Sequence, residues 1–295
     1  MKPLILPLLL SCLIASRVEA RFEGVSGVAR SQAAGGAFVS LADDASALFV
    51  NPAGIVLAGP LACYVDYAEP SGAVGARESR LVACMAAGRS SFGLGWYRLG
   101  RAGGSDNLIL AGGAYRLIEG TQGSLISVGA SAAVGRASRG GTACSAEGGS
   151  CRSGSSGARV TADAGFIVRP LPVIAVAYSA SNVFGVDASG GGGGSPWRRL
   201  QQWGVSYFWQ ERFVLSFAEE HADGVWTLHY GINVKTAVPI ELMAGFSDER
   251  ASGGIRWTGE RCGAVIAFSE DGAGGITWTG GFEMKIRRGG SEGAP

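Results

Sequence analysis

The residues of this chain able to do chemistry are few and widely spaced. Asp43 and Asp44 stand side by side in a segment otherwise rich in alanine, leucine and valine. Far downstream, His229, Lys235, Glu241 and Glu283 occupy polar positions that alternate with apolar ones, as do Arg159, Asp163, Arg256 and Lys285. No His-Glu-x-x-His pair and no lysine-bearing phosphate loop occurs. The glycine run Gly190–Gly194 sits in a loop and is not a nucleotide fingerprint. Nothing here assembles a nucleophile, a base and an oxyanion site, so the chain reads as a non-enzyme with no metal and no cofactor. What these groups can do is pair with each other and tie one element to another.

The elements that hold them show period two. In Val225 to Lys235, Trp226, Leu228, Tyr230, Ile232 and Val234 form one face, opposed by Thr227, His229, Gly231, Asn233 and Lys235. The last such segment sets Ile276, Trp278, Phe282, Met284 and Ile286 against Thr277, Thr279, Gly281, Glu283 and Lys285. About fourteen such segments run between residues 61 and 287, many of them about 9–11 residues long, the length that crosses a bilayer when tilted. A soluble sandwich also alternates, so connection lengths matter. Arg169-Pro170-Leu171-Pro172, Gln210-Glu211, Val238-Pro239 and Gly259-Glu260 are short. The alternate set is read as outer loops: 138–157, 185–199, His221-Ala222-Asp223 and Glu270-Asp271-Gly272. Long loops at one end and tight turns at the other mark an outer-membrane barrel, and an even strand count puts both termini at the turn end.

Composition agrees. Glycine accounts for 49 of 295 residues, against a usual level of about 7 %, without a collagen period. Charged residues make up only 17 %. Lys2, the apolar run Leu4–Ala15 and Val18-Glu19-Ala20 read as a secretory signal, with Leu10-Ser11-Cys12 as a partial lipobox. Cleavage after residue 20 leaves 23 basic and 23 acidic residues. The basic residues form no patch, which argues against nucleic acid. No run of eighteen apolar residues follows residue 20, so no helix spans a membrane. Cys144 and Cys151, seven apart in a Gly/Ser-rich stretch, are read as a possible loop disulfide, and Cys63, Cys84 and Cys262 as small packed residues in strands. The tryptophans read as lipid-facing or interfacial anchors.

Gly35 to Gly54 fits neither pattern. Its apolar residues do not alternate, and it is too short and polar to span. Asp43 or Asp44 can cap a short helix over Ala45–Phe49, Pro52 pins the chain after Asn51, and Gly54 permits a tight exit. Gly35 and Gly36 allow close approach to a wall. In order, Gly35-Gly36-Ala37-Phe38, Ala42-Asp43-Asp44-Ala45-Ser46-Ala47 and Asn51-Pro52-Ala53-Gly54 resemble the N-terminal signature of the FadL/TodX outer-membrane hydrocarbon transporters, most closely the PorV/PorQ-like and related spirochaete branch. Weaker echoes are Arg169-Pro170-Leu171-Pro172, Ser181-Asn182-Val183-Phe184-Gly185 and Gln202-Trp203-Gly204-Val205-Ser206-Tyr207. The chain departs from the pattern in its tail, where Phe282 is followed by Arg287-Arg288 and a glycine-rich end, and it is short for a fatty-acid transporter.

The resemblance implies an all-β, transmembrane antiparallel barrel of fourteen strands around an N-terminal hatch, placed in the bacterial outer membrane. The expected divisions are a signal peptide at 1–20, a hatch at 21–60, the barrel at 61–287 and a tail at 288–295. It implies passive, hatch-gated entry of small hydrophobic molecules such as fatty acids. Gly35, Gly36, Phe38, Leu41, Asp43, Asp44, Phe49, Asn51 and Pro52 would form the gate and touch the ligand. His229, Lys235, Glu241 and Glu283 would line a polar lumen, with His221 in an outer loop. Expected partners are outer-membrane lipid, hydrophobic small molecules and secretion or envelope proteins. The alternative is a PorV-like structural or secretion-partner barrel that transports nothing.

Overall fold

Alternation dictates a sheet with two unlike faces, and closing that sheet satisfies every edge. The computed structural model describes residues 27–70, 76–101, 104–120, 123–139, 143–144, 151–152, 157–184, 186–187, 199–210, 212–248, 250–270 and 275–286. Fourteen long strands form one closed antiparallel barrel. They are β1 Leu61–Glu69, β2 Arg77–Ala87, β3 Ser90–Arg101, β4 Gly104–Glu119, β5 Leu125–Arg139, β6 Gly157–Leu171 and β7 Ile174–Ser181. The second half comprises β8 Leu200–Trp209, β9 Phe213–Ala222, β10 Val225–Lys235, β11 Ile240–Ser247, β12 Arg250–Thr258, β13 Cys262–Glu270 and β14 Ile276–Ile286. Each strand pairs with its sequence neighbours, and β14 closes on β1 from Leu61↔Ile286 to Glu69↔Trp278.

The two faces separate cleanly. Leu81, Leu94, Ile109, Val134, Trp203, Leu215, Trp226, Ile255, Ile266 and Trp278 are exposed on the outside. Residues of the opposite parity are buried, and many are small or polar: Ser127, Ser131, Ser179, Ser206, Ser216, Asn233 and Thr279. A soluble sandwich buries its large side chains. This barrel presents them outward in a continuous belt, which only a lipid environment stabilises.

Turn chemistry sets the register. Gln210 and Asp248 adopt positive φ at tight connections. Asp223 and Gly224 do so in succession, at 50° and 84°, the pattern of a type I′ hairpin turn. This corrects the expectation for His221. It belongs to β9 and stacks on Trp226 at 4.3 Å, because Asp223-Gly224 closes the hairpin in two residues. Cys144 and Cys151 face each other in a two-residue ladder, and their side chains lie outside what the structure describes. Among the described residues Cys63, Cys84 and Cys262 are free thiols. The expected signal peptide and tail also lie outside the described residues.

Candidate functional site

The chain ahead of β1 fills the barrel. From Val28 to Ala58 most residues are buried. Helix α1, Ala29–Ala33, packs on β11, β12, β13 and β14, whereas a 3₁₀ helix, Pro52–Leu57, packs on β3, β4, β5 and β6. These strands lie on opposite sides of the closed sheet, so the segment crosses the lumen from wall to wall. Helix α2, Ala47–Val50, lies between them.

Local sequence explains the path. Gly35 and Gly36 take φ of +65° and +87°, which turns the chain after α1. A Cβ on Gly36 would strike the His229 ring. Asp44 accepts from the Ser46 amide at 2.8 Å and also from the Ser46 hydroxyl. The expected helix therefore begins two residues late, at Ala47, after a turn that Asp44 ties. Asn51 caps the 3₁₀ helix, its Oδ1 accepting from Ala53 N at 3.1 Å, with Pro52 at the first helical position. The Asn51 amide donates to the carbonyls of Val39 at 3.2 Å and Phe166 at 3.3 Å. It therefore joins two parts of the segment to β6.

The wall receives this backbone through missing side chains and through hydroxyls. At Gly129 a Cβ would overlap Ala53 N, at Gly165 it would overlap Asn51 Oδ1, and at Gly245 it would overlap Gly35 N. Ser179 donates to the Val50 carbonyl at 2.7 Å and Ser127 to that of Ala53 at 3.1 Å. The hydroxyls of Ser40 and Ser206 lie 2.6 Å apart. His229 Nδ1 donates to the Gly35 carbonyl at 2.7 Å. The Ala29 amide faces the Tyr64 hydroxyl and Asp66 at 3.1 and 3.3 Å. Gln32 reaches Ser269 at 2.7 Å and also bonds Thr279. The Asn51→Ala variant is expected to lose about 2 kcal/mol of segment seating, because the buried Val39 carbonyl and the half-buried Phe166 carbonyl lose this donor and the 3₁₀ helix its cap. Hydrogen exchange over residues 47–57 checks this.

Among the described residues, three buried guanidinium groups each hold two carboxylates. Arg30 meets Asp43 and Asp44, both at 2.5 Å. Arg256 meets Glu241 at 3.1 Å and also Glu283, with Lys285 3.8 Å from Glu283. Arg80 meets Asp66 at 3.1 Å and Glu78 at 2.5 Å. Asn233 donates to Glu241 at 3.0 Å. His229 Nε2 stands 3.7 Å from Glu220, which Gln202 holds at 2.6 Å. Burial disfavours the charged forms of Asp43 and Asp44, but the Arg30 guanidinium outweighs it and holds both below the usual carboxylate range. Both carboxyls titrate lower folded than unfolded. Their contribution is therefore complete above an unfolded pKa of about 4 and is lost only as pH falls towards the folded values. Exchange protection of residues 28–50 is accordingly expected to be flat from neutral pH to about pH 5 in the part these carboxylates contribute, and to fall in stronger acid.

The expected site residues are thus brought together, but as packing and pairing groups. Phe38, Leu41 and Phe49 are at most 4 % exposed and belong to one apolar cluster with Leu48, Ile55, Tyr97 and Leu110. Asp43 and Asp44 join Arg30; Asn51 and Pro52 join the 3₁₀ helix to the wall. His229, Glu241 and Glu283 are buried on the lumen face, while Lys235 is exposed. Sequence reasoning missed Arg30, which lies outside the Gly35–Gly54 stretch. It also missed the Arg80–Asp66–Glu78 centre.

Gly231 and Gly245 back directly onto Ala34 and Gly35. On the outside of the same patch Val205, Tyr207, Leu215, Phe217, Ile232 and Phe246 form a shallow, open hollow in the apolar belt.

Similar architectures exist among solved structures. The Ralstonia pickettii toluene transporter TbuX superimposes with a TM-score of 0.65, at 11 % identity, covering 90 % of this chain and 100 % of that one. The Pseudomonas putida toluene transporter TodX gives 0.56 at 12 % identity, covering 87 % and 97 %. A Pseudomonas aeruginosa FadL homologue gives 0.55 at 13 %, covering 88 % and 98 %. This chain shares their fold. It is a barrel of the bacterial outer membrane, as its apolar belt requires. No protein-family model and no curated protein sequence matches it.

Proposed function

We propose that the chain is a non-catalytic outer-membrane channel that admits small hydrophobic molecules, and that residues 28–58 are its hatch. One observation carries this reading: the segment fills the lumen and is seated on inward-facing glycines of the wall at 129, 165, 231 and 245. A shift of this segment would open a path through the lumen, while the hydrogen-bonded ladders of the wall stay closed. Toluene transport by TbuX and TodX supports the substrate class, with monoaromatics ahead of fatty acids. The driving force is transfer of apolar area out of water, about 25 cal/mol per Å². The test is uptake of toluene into liposomes holding the purified barrel. An Asn51→Ala/Pro52→Ala variant, folded by heat-modifiable migration, should take up toluene several-fold faster. Equal rates would sink the gating.

A second reading is favoured by the three guanidinium centres. A lumen crossed by paired buried charges suits a PorV-like structural or secretion-partner barrel whose hatch never moves. Liposomes that take up no toluene with either protein would support it.

A further inference from the structure

The outer belt ends abruptly along one side of the barrel. Across β2 to β5, Leu81, Trp96, Ile109 and Val134 are cross-strand neighbours in one outward row. All are 36 % exposed or more. The next outward row towards the loop end reads Ser79, Arg98, Asn107 and Arg136. Rows on the same face lie about 6.6–6.8 Å apart, so the change from apolar to cationic occurs within one step. Such a step marks the boundary between hydrocarbon and headgroups, with Trp96 at the usual place of an interfacial aromatic.

Arg98 and Arg136 are both exposed. Neighbouring acids are committed elsewhere: Glu69 lies 3.8 Å from Arg77, Asp106 is 3.3 Å from Arg101, and Glu78 is 2.5 Å from Arg80. Among the described residues neither Arg98 nor Arg136 has a carboxylate partner. Asn107 stands between them in register. Two ladder steps separate the arginines, about 10 Å, which two long side chains can close around one anion. Outward positions near the loop end of β9 and β13 carry Glu219 and Glu270 instead, so the cationic row is confined to one side.

We propose that Arg98, Asn107 and Arg136 bind the phosphate of an anionic membrane lipid in the leaflet at the loop end. Its acyl chains would lie on Leu81, Trp96, Ile109 and Val134. Guanidinium forks match phosphate oxygens in pairs, and an amide between them supplies a further donor. The apolar row directly beneath selects a lipid over a free anion, because only a lipid occupies both rows. This site depends on the barrel's place in the membrane and not on whether the hatch moves.

Native mass spectrometry of the full chain in detergent tests it, with phosphatidylglycerol and phosphatidylcholine offered at equal concentration. Wild type is expected to retain phosphatidylglycerol preferentially. Near a membrane surface each arginine is worth about a five-fold change in affinity, so Arg98→Gln/Arg136→Gln should weaken phosphatidylglycerol about 25-fold and leave phosphatidylcholine unchanged. Arg77→Gln, beside Glu69, should change neither. In wild type the preference should fall with added salt, a measurement that needs no variant. Equal retention of the two lipids by wild type would overturn the proposal, as would an unchanged preference in the double variant. Loss of phosphatidylglycerol to millimolar inorganic phosphate, beyond what matched chloride does, would overturn the choice of a lipid.

Discussion

Gly245→Val dislodges the N-terminal segment while the barrel stays closed. A Cβ at this position would occupy the space of the Gly35 amide nitrogen and the Ala34 carbonyl carbon. These are backbone atoms and cannot swing aside as a side chain would. Valine itself suits a strand, and β11 keeps its ladders to β10 and β12. The strain, of the order of 1–3 kcal/mol or more for overpacking, therefore falls on the seating of Ala34–Gly35. Hydrogen exchange should rise across residues 29–40 by at least ten-fold, with strand amides of β1 to β14 unchanged. Heat-modifiable migration should persist. Wild-type protection of residues 29–40 in this variant would show that the segment does not lie against the wall at this point.

Arg30→Met should have the larger effect. Arg30 is 4 % exposed, and its partner Asp44 is 1 % exposed. Removing the cation leaves a buried carboxylate uncompensated, a change that costs about 3–5 kcal/mol. Asp43 is 45 % exposed and adds less. Segment exchange should accelerate about a hundred-fold or more, since each 1.36 kcal/mol is ten-fold. The triple variant Arg30→Met/Asp43→Asn/Asp44→Asn should recover much of the protection, because no charge is then stranded. A triple variant as unstable as Arg30→Met alone would mean that Arg30 acts through its packing on Phe38, 4.9 Å from the ring centre, and not through its charge.

The strands were legible because a barrel in lipid enforces alternation along most of each strand, broken at register irregularities such as Arg116/Ile118 and Val168/Leu171. Trp226 to Val234 on one face and His229 to Lys235 on the other come straight from period two. His229, Glu241 and Glu283 were placed on the lumen side by parity alone. The Gly35–Gly54 motif was legible as a unit because glycine, paired carboxylates and Asn-Pro each carry a local backbone signal. Arg30 carries none. Its partners are 13 and 14 residues away, joined by a fold-back that only the filled lumen imposes. The wall glycines at 129, 165 and 245 were invisible for a related reason. A glycine in a strand says that space is needed, but not which backbone takes it. His221 falls in a strand and not in a loop because Asp223-Gly224 closes the hairpin in two residues, a turn whose shortness the surrounding polar residues conceal.

The central claim is that residues 28–58 must move for a hydrophobic molecule to pass. Ser40 and Ser206 provide the direct test, since their hydroxyls lie 2.6 Å apart across the junction of segment and β8. In a background with the native cysteines replaced, Ser40→Cys/Ser206→Cys should oxidise to a disulfide that fastens the segment to the wall. Toluene uptake into liposomes should fall to the empty-vesicle rate when this bond is formed and return when it is reduced. Equal uptake in the oxidised and reduced states would contradict a moving hatch.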